Sequence, residues 1–101
     1  MLFQNYLLMS ITASNLSKMK TNWVVYVLEC EDQSLYTGVT NNLEKRFLDH
    51  KSGKGAKYTK SHKPIKVVYQ QAFETHSESL KREIEIKKWS REQKLKNLNL
   101  K

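Results

Sequence analysis

Residues 23–38, WVVYVLECEDQSLYTG, place two strand-forming runs either side of one short polar break, and this stretch constrains the fold more than any other. The first run, Trp23 to Cys30, is β-branched, aromatic and almost unbroken in its apolarity, which suits a strand covered on both faces. It is too short to cross a membrane. Glu31-Asp32-Gln33 supplies the break, and Leu35, Tyr36 and Val39 resume the pattern in Ser34 to Thr40, so an antiparallel hairpin is the economical solution. A three-residue loop pairs Cys30 with Ser34, Leu28 with Tyr36 and Tyr26 with Gly38. Tyr26 and Tyr36 then share one face as diagonal neighbours. Gly38 removes a side chain opposite Tyr26, leaving room for a ligand or another backbone. The competing reading is that both are ordinary strand tyrosines.

Asn41 with Glu44 three residues on resembles a capping box, so a helix is expected to start there and to end by Gly53. Leu43, Phe47 and Leu48 form its expected buried stripe. Arg46 and His50, four apart, stack on a neighbouring face where they can reach a shared ligand, unless that face is merely solvated. Lys51, Lys54, Lys57, Lys60 and Lys63 then recur every third residue in a stretch that holds two glycines, Tyr58 and His62. This reads as a basic loop. Lysines on flexible stems attract phosphate without reading sequence, and Tyr58 can stack on a base or pack beneath the loop.

The charge balance of the whole chain agrees: 18 Lys and Arg against 10 Asp and Glu give +8 and a pI near 9.6, which favours a polyanionic partner. Nucleic acid precedes anionic membrane in that choice, because a membrane reader needs an amphipathic basic helix and the lysines here fall in a glycine-containing loop.

Pro64 opens a third strand in which Ile65, Val67 and Tyr69 alternate with Lys66, Val68 and Gln70. Thr75 with Glu78 caps a helix running to about Trp89, and Ser90 with Gln93 starts a short last helix carrying Leu95 and Leu98. At 100° per residue from Leu80, Ile84 falls at about 40°, Glu83 at about 300°, Ile86 at about 240° and Trp89 at about 180°. Glu83 thus sits in the apolar arc, where a carboxylate needs a partner. Either a salt bridge, for instance to Lys87, or a divalent cation at the sheet's edge can supply one. Glu85 looks outward.

A chain of 101 residues makes one domain with a modest core. Residues 22–101 are read as that domain, and residues 1–21 as an extension, disordered or reflecting a mis-assigned start, with Met9 and Met19 as alternative starts. No secretion signal or membrane span is read in it. Cys30 is the only cysteine, which points to a buried thiol in a reducing, cytoplasmic setting. His50, His62 and His76 lack paired metal-ligand spacing, so zinc is not expected.

Tyr26, Tyr36, Arg46, His50 and Glu83 beside a lysine-rich loop make a working set for phosphodiester hydrolysis. That reaction needs a base for water, positive charge for the pentacovalent transition state, and a Lewis acid on the phosphate or leaving oxygen. A phenol with a pKa near 10 needs help to act as base. One well-placed carboxylate implies one metal, and Mg2+ (or Mn2+) fits because magnesium keeps most of its waters.

The sequence resembles the GIY-YIG nuclease family, in particular its small stand-alone bacterial branch. The first motif stands as Val24-Val25-Tyr26 and the second as Tyr36-Thr37-Gly38; Arg46, His50, Gly53-Lys54-Gly55-Ala56-Lys57-Tyr58-Thr59 and Glu83 before Ile86-Lys87-Lys88-Trp89 follow in order. The likeness covers about residues 22 to 96. It implies an α+β fold, a three-stranded antiparallel sheet flanked by helices in β-β-α-β-α-α order, and a metal-dependent endonuclease site. It places Tyr26 and Tyr36 at the attacking water, Arg46 at the transition-state phosphate, His50 as assisting base or orienting group, and Glu83 as metal ligand.

Val24 and Thr37 depart mildly from the two motifs. Thr40 stands where some relatives carry a lysine, so help in lowering a tyrosine pKa must come from elsewhere. Asn97 and Asn99 fall in no motif that aligns with the late asparagine of other members. With no separate DNA-binding domain, the expected substrate is DNA in preference to RNA, chosen by flaps, single strands or shape, as in repair or recombination. The alternative is a non-cleaving nucleic-acid-binding module of the same fold that needs a partner. Oligomeric state stays open, although a third strand at a sheet edge can pair with a second copy.

Overall fold

The computed structural model describes residues 23–100; the extension at 1–21, with its alternative starts, lies outside them. Strands β1 (Trp23–Cys30), β2 (Leu35–Thr40) and β3 (Pro64–Phe73) form one antiparallel sheet in the order β2-β1-β3. The hairpin register is the expected one, with Leu28 opposite Tyr36 and Tyr26 opposite Gly38. Its turn closes through Cys30 N–H to the Ser34 carbonyl at 2.9 Å and Gln33 N–H to the Cys30 carbonyl at 2.8 Å. Gln33 takes the left-handed conformation (φ 71°) that a three-residue hairpin loop requires. The Asp32 carboxylate accepts from both the backbone N–H and hydroxyl of Ser34.

Helices α1 (Leu43–Lys51) and α2 (Lys57–Ser61) precede β3, and α3 (His76–Lys87) and α4 (Arg91–Asn97) follow it. Central position between two strands and two helical layers explains the unbroken apolarity of β1, whose Val25, Tyr26, Val27 and Leu28 are all buried. Val25 and Val27 point to one face and join Ile86 of α3 and Leu98 in the core, with Leu35, Val39 and Val68 packed around them. Tyr26 points to the other face, toward α1. Cys30 is buried, and burial pushes its thiol up, away from reactivity.

The structure corrects several expectations. The lysine-rich stretch is not wholly loop, since α2 forms inside it and the element order becomes β-β-α-α-β-α-α. Helix α1 is capped by Asn42, whose side chain accepts from Lys45 N–H, one residue later than expected. Leu48 is 58% exposed, and His50 takes the buried place in that helix. In β3 the strict alternation fails because register shifts against β1 fall between Val27 and Leu28 and between Glu29 and Cys30, skipping Val68 and Ile65. Ile65 is thereby turned to solvent.

Helix α3 starts where Thr75 accepts from Glu78 N–H but ends at Lys87, and its buried face runs through Ser79 and Ile86 while Leu80 and Ile84 are exposed. The Ser90–Gln93 capping box at α4 is complete in both directions.

Candidate active site

Cross-strand pairing puts the Tyr26 ring over Gly38, and a Cβ on Gly38 would stand 2.5 Å from the Tyr26 Oη. The room opposite Tyr26 is therefore filled by its own phenol, not left for a ligand. Tyr36 lies beside it on the same face, with ring centroids 6.3 Å apart. Helix α1 delivers His50 to this face: its Nε2 is 2.8 Å from the Tyr26 Oη, and its ring lies 5.1 Å from that of Tyr36. Arg46, one turn earlier, is close enough for its guanidinium to favour the Tyr26 phenolate.

Helix α2 closes the group from the outside. Thr59 Oγ1 lies 2.7 Å from His50 Nδ1. Tyr58 stacks on Tyr36 at 5.9 Å and on His62 at 3.8 Å. His62 in turn approaches the Asp32 carboxylate of the hairpin turn.

Electrostatics hold this group in a defined resting state. Burial, followed by the neighbouring Tyr36, drives the Tyr26 phenol well above its ordinary value; Arg46 opposes this and the Glu83 charge adds to it. Burial, followed by Arg46, lowers His50 to about 4, against a smaller opposing pull from Asp49. At neutral pH the pair is a protonated phenol facing a neutral imidazole. Both groups are 1% exposed.

Of the five residues read as catalytic, the fold therefore brings Tyr26, Tyr36, Arg46 and His50 into one cluster. Glu83 is only 15% exposed on its side chain and its charge reaches Tyr26, but one carboxylate oxygen is 3.1 Å from Lys87 Nζ. The salt-bridge reading of Glu83 is thus realised. Among the described residues no three His, Cys, Asp or Glu side chains converge to hold a metal, so the donor set suits only a cation that keeps most of its waters. Both His50 ring nitrogens are engaged within the protein, Nε2 with Tyr26 and Nδ1 with Thr59.

The loop side chains divide by role. Lys51, Lys54, Lys57, Lys60 and Lys63 are exposed, and Tyr58, stacked between Tyr36 and His62, is itself 37% exposed and not packed beneath the loop. Thr59 and Gly55 had no assigned role. A Cβ on Gly55 would collide with His50 Nδ1 and stand 2.8 Å from its Cα, so the loop backbone passes directly over the imidazole. A glycine within a run of lysines was the available signal for that close approach.

The GIY-YIG catalytic-domain family model matches residues 22–97. The chain belongs to the GIY-YIG family. GIY-YIG domains are nuclease domains that act on nucleic acid. The chain is 54% identical over 72 residues to a UPF0213 protein of Staphylococcus saprophyticus, covering 71% of this chain and 88% of that one. It is 57% identical over 72 residues to a UPF0213 protein of Cupriavidus necator, covering 71% and 78%. The solution structure of the UPF0213 protein BH0048 from Bacillus halodurans matches with a TM-score of 0.51 and 43% identity, covering 78% of this chain and 84% of that one. The GIY-YIG family, its bacterial relatives and the three-stranded antiparallel α+β fold are thus those expected from the sequence. No helix among the described residues is long and apolar enough to cross a membrane.

Proposed function

We propose that the protein is a metal-dependent endonuclease that hydrolyses phosphodiester bonds in DNA, guided by the structure of the substrate and not by its sequence. The observation that carries this reading is the Tyr26–His50 contact of 2.8 Å inside a cluster with Tyr36 and Arg46. A phenol hydrogen-bonded to an imidazole, with a guanidinium beside it to favour negative charge, is equipment that water activation can use. Tyr26 is the better base of the two tyrosines, since it alone has His50 as hydrogen-bond partner. The Arg46 guanidinium, which opposes the rise of the Tyr26 phenol, supplies the help that Thr40 does not.

Arg46 favours negative charge at this point and is suited to the transition-state phosphate. Glu83 would hold Mg2+ or Mn2+ with water completing the shell, and the ion would act as Lewis acid on the phosphate. Lys87 must let go of Glu83, and substrate binding must open a path to the closed Tyr26 hydroxyl. Lys51, Lys54, Lys57, Lys60 and Lys63 meet the phosphates of the incoming strand. Repair or recombination is the setting that such a substrate fits, in the cytoplasm.

Cleavage of labelled single-stranded, duplex, flapped and branched DNA, and of matching RNA, tests this reading with magnesium or manganese present and with EDTA. Glu83→Gln and Tyr26→Phe are expected to bind as wild type does and to lose cutting by a factor of about 100 or more. The closure of Tyr26 and the pairing of Glu83 with Lys87 favour a second reading, a nucleic-acid-binding module of the same fold that requires a partner. Tight binding without cutting, identical in both variants, would select it.

A further inference from the structure

Thr59 is 2% exposed and makes two side-chain contacts: its Oγ1 is 2.9 Å from the Ala56 carbonyl oxygen and 2.7 Å from His50 Nδ1. A hydroxyl has one proton to give and a carbonyl has none, so the contact with Ala56 is a hydrogen bond only when Thr59 donates it. With that proton committed, Thr59 can only accept from His50, whose Nδ1 must therefore carry hydrogen. A neutral imidazole protonated at Nδ1 keeps its lone pair at Nε2. That nitrogen faces the Tyr26 Oη at 2.8 Å, and the phenol is consequently the donor.

We propose that Thr59 is a positioning residue that sets the His50 tautomer, so that the imidazole lone pair is always presented to the Tyr26 phenol. The inference rests on the nuclease reading for its consequence, but the tautomer itself follows from the hydrogen-bond chain Tyr26–His50–Thr59–Ala56. Gly55 completes the device, because its backbone lies against His50 where any larger residue's Cβ would collide with the ring.

The opposite tautomer would place N–H against O–H at the Tyr26 contact and make the phenol an acceptor, unable to pass its proton inward. In the tautomer set by Thr59, one proton passes from the Tyr26 Oη to His50 Nε2 once bound substrate and Arg46 offset the burial that holds the phenol protonated at rest, while the hydrogen on Nδ1 stays bonded to Thr59 Oγ1. The phenolate takes a proton from water, the resulting hydroxide forms its bond to phosphorus, and the leaving oxygen departs with the electron pair of the broken P–O bond. Bulk water protonates that oxygen and receives the proton from His50.

Nitrogen-15 NMR of histidine-labelled protein near neutral pH tests the inference. Wild type is expected to show His50 with Nδ1 protonated and Nε2 bare. Thr59→Val keeps the shape but cannot accept; His50 is expected to move its proton to Nε2, and the cleavage rate to fall at least about tenfold with KM unchanged. Thr59→Ser is expected to restore both the tautomer and the rate. Thr59→Cys, whose sulfur accepts weakly, carries the same test should the valine variant not fold. A wild-type His50 protonated at Nε2, or a valine variant that keeps the Nδ1–H form, would overturn the proposal. A Nδ1–H form that depends on Thr59, in a protein that cuts no nucleic acid, would uphold the tautomer assignment and reject the nuclease reading separately.

Discussion

Tyr26 and His50 are polar groups placed where apolar ones would be cheaper, and each is tolerable only because it satisfies the other. Tyr26→Phe removes the donor and leaves a buried Nε2 lone pair without a partner, so it is expected to cost about 1–3 kcal/mol in urea denaturation in addition to its effect on cleavage. Gly38→Ala would push its methyl into the Tyr26 hydroxyl from a backbone that cannot retreat, and is expected to destabilise by a similar amount, about 1–3 kcal/mol.

The buried imidazole also makes stability depend on pH. His50 titrates at about 4 in the folded protein, against 6.5 without the fold. Because the folded value is depressed, the unfolded chain binds the proton first. The contribution is fully present above pH 6.5 and is lost as pH falls toward 4. The loss is on the order of 3 kcal/mol. Urea midpoints of wild type and His50→Gln across this window check it, since the variant should show a shallower fall.

At the scale of elements, α4 is tied to the sheet through an unusual contact. Lys94 is buried, and its Nζ donates to Thr37 Oγ1 at 3.0 Å and toward the Leu35 carbonyl at 3.4 Å. Burial, with Lys87 nearby, lowers the Lys94 ammonium from its ordinary value. This gives the threonine in the second motif a structural role: its hydroxyl receives a lysine from the last helix. Thr37→Ile is expected to destabilise by about 1–3 kcal/mol, because Lys94 loses an acceptor it cannot replace with water. Adding Lys94→Leu should recover much of that loss, a coupling that a double-mutant cycle in urea would measure. Helix α2 performs the matching task on the other face, where consecutive residues Tyr58 and Thr59 engage Tyr36 and His50.

For the whole molecule the decisive quantity is charge. A net +8 on a chain of 101 residues attracts polyanions over distances set by the ionic strength, and the lysines around α2 lie next to the cluster on the same side of the sheet. Replacing both Lys54 and Lys57 with alanine is expected to weaken DNA binding across substrates and to flatten the slope of log K against log salt by about 2. Fluorescence anisotropy titrations at several salt concentrations read that slope, and an unchanged value would remove the lysines from the interface.

The fold was largely legible in the chain because it is specified by local signals. The hairpin register followed from side-chain alternation and a three-residue break, and Thr75 and Ser90 marked helix starts through side chains that bond their own neighbours. Tyr26 with Tyr36 and Arg46 with His50 were legible as two pairs, because strand register and one helical turn set their offsets; that the pairs meet was implied by the family resemblance and is brought about by packing between α1 and the hairpin. The remainder was decided by packing between distant segments. Nothing local distinguishes Leu48, which is exposed, from His50, which is buried, until β1 presents a phenol to receive the imidazole. Glu83 was legible as an inward carboxylate, but its hold on Lys87 emerged from two equally lawful partners. The short helix in the lysine run and the role of Thr59 depend on where the loop lies over His50. That position is set by close contact across the fold and leaves almost no trace in composition or periodicity.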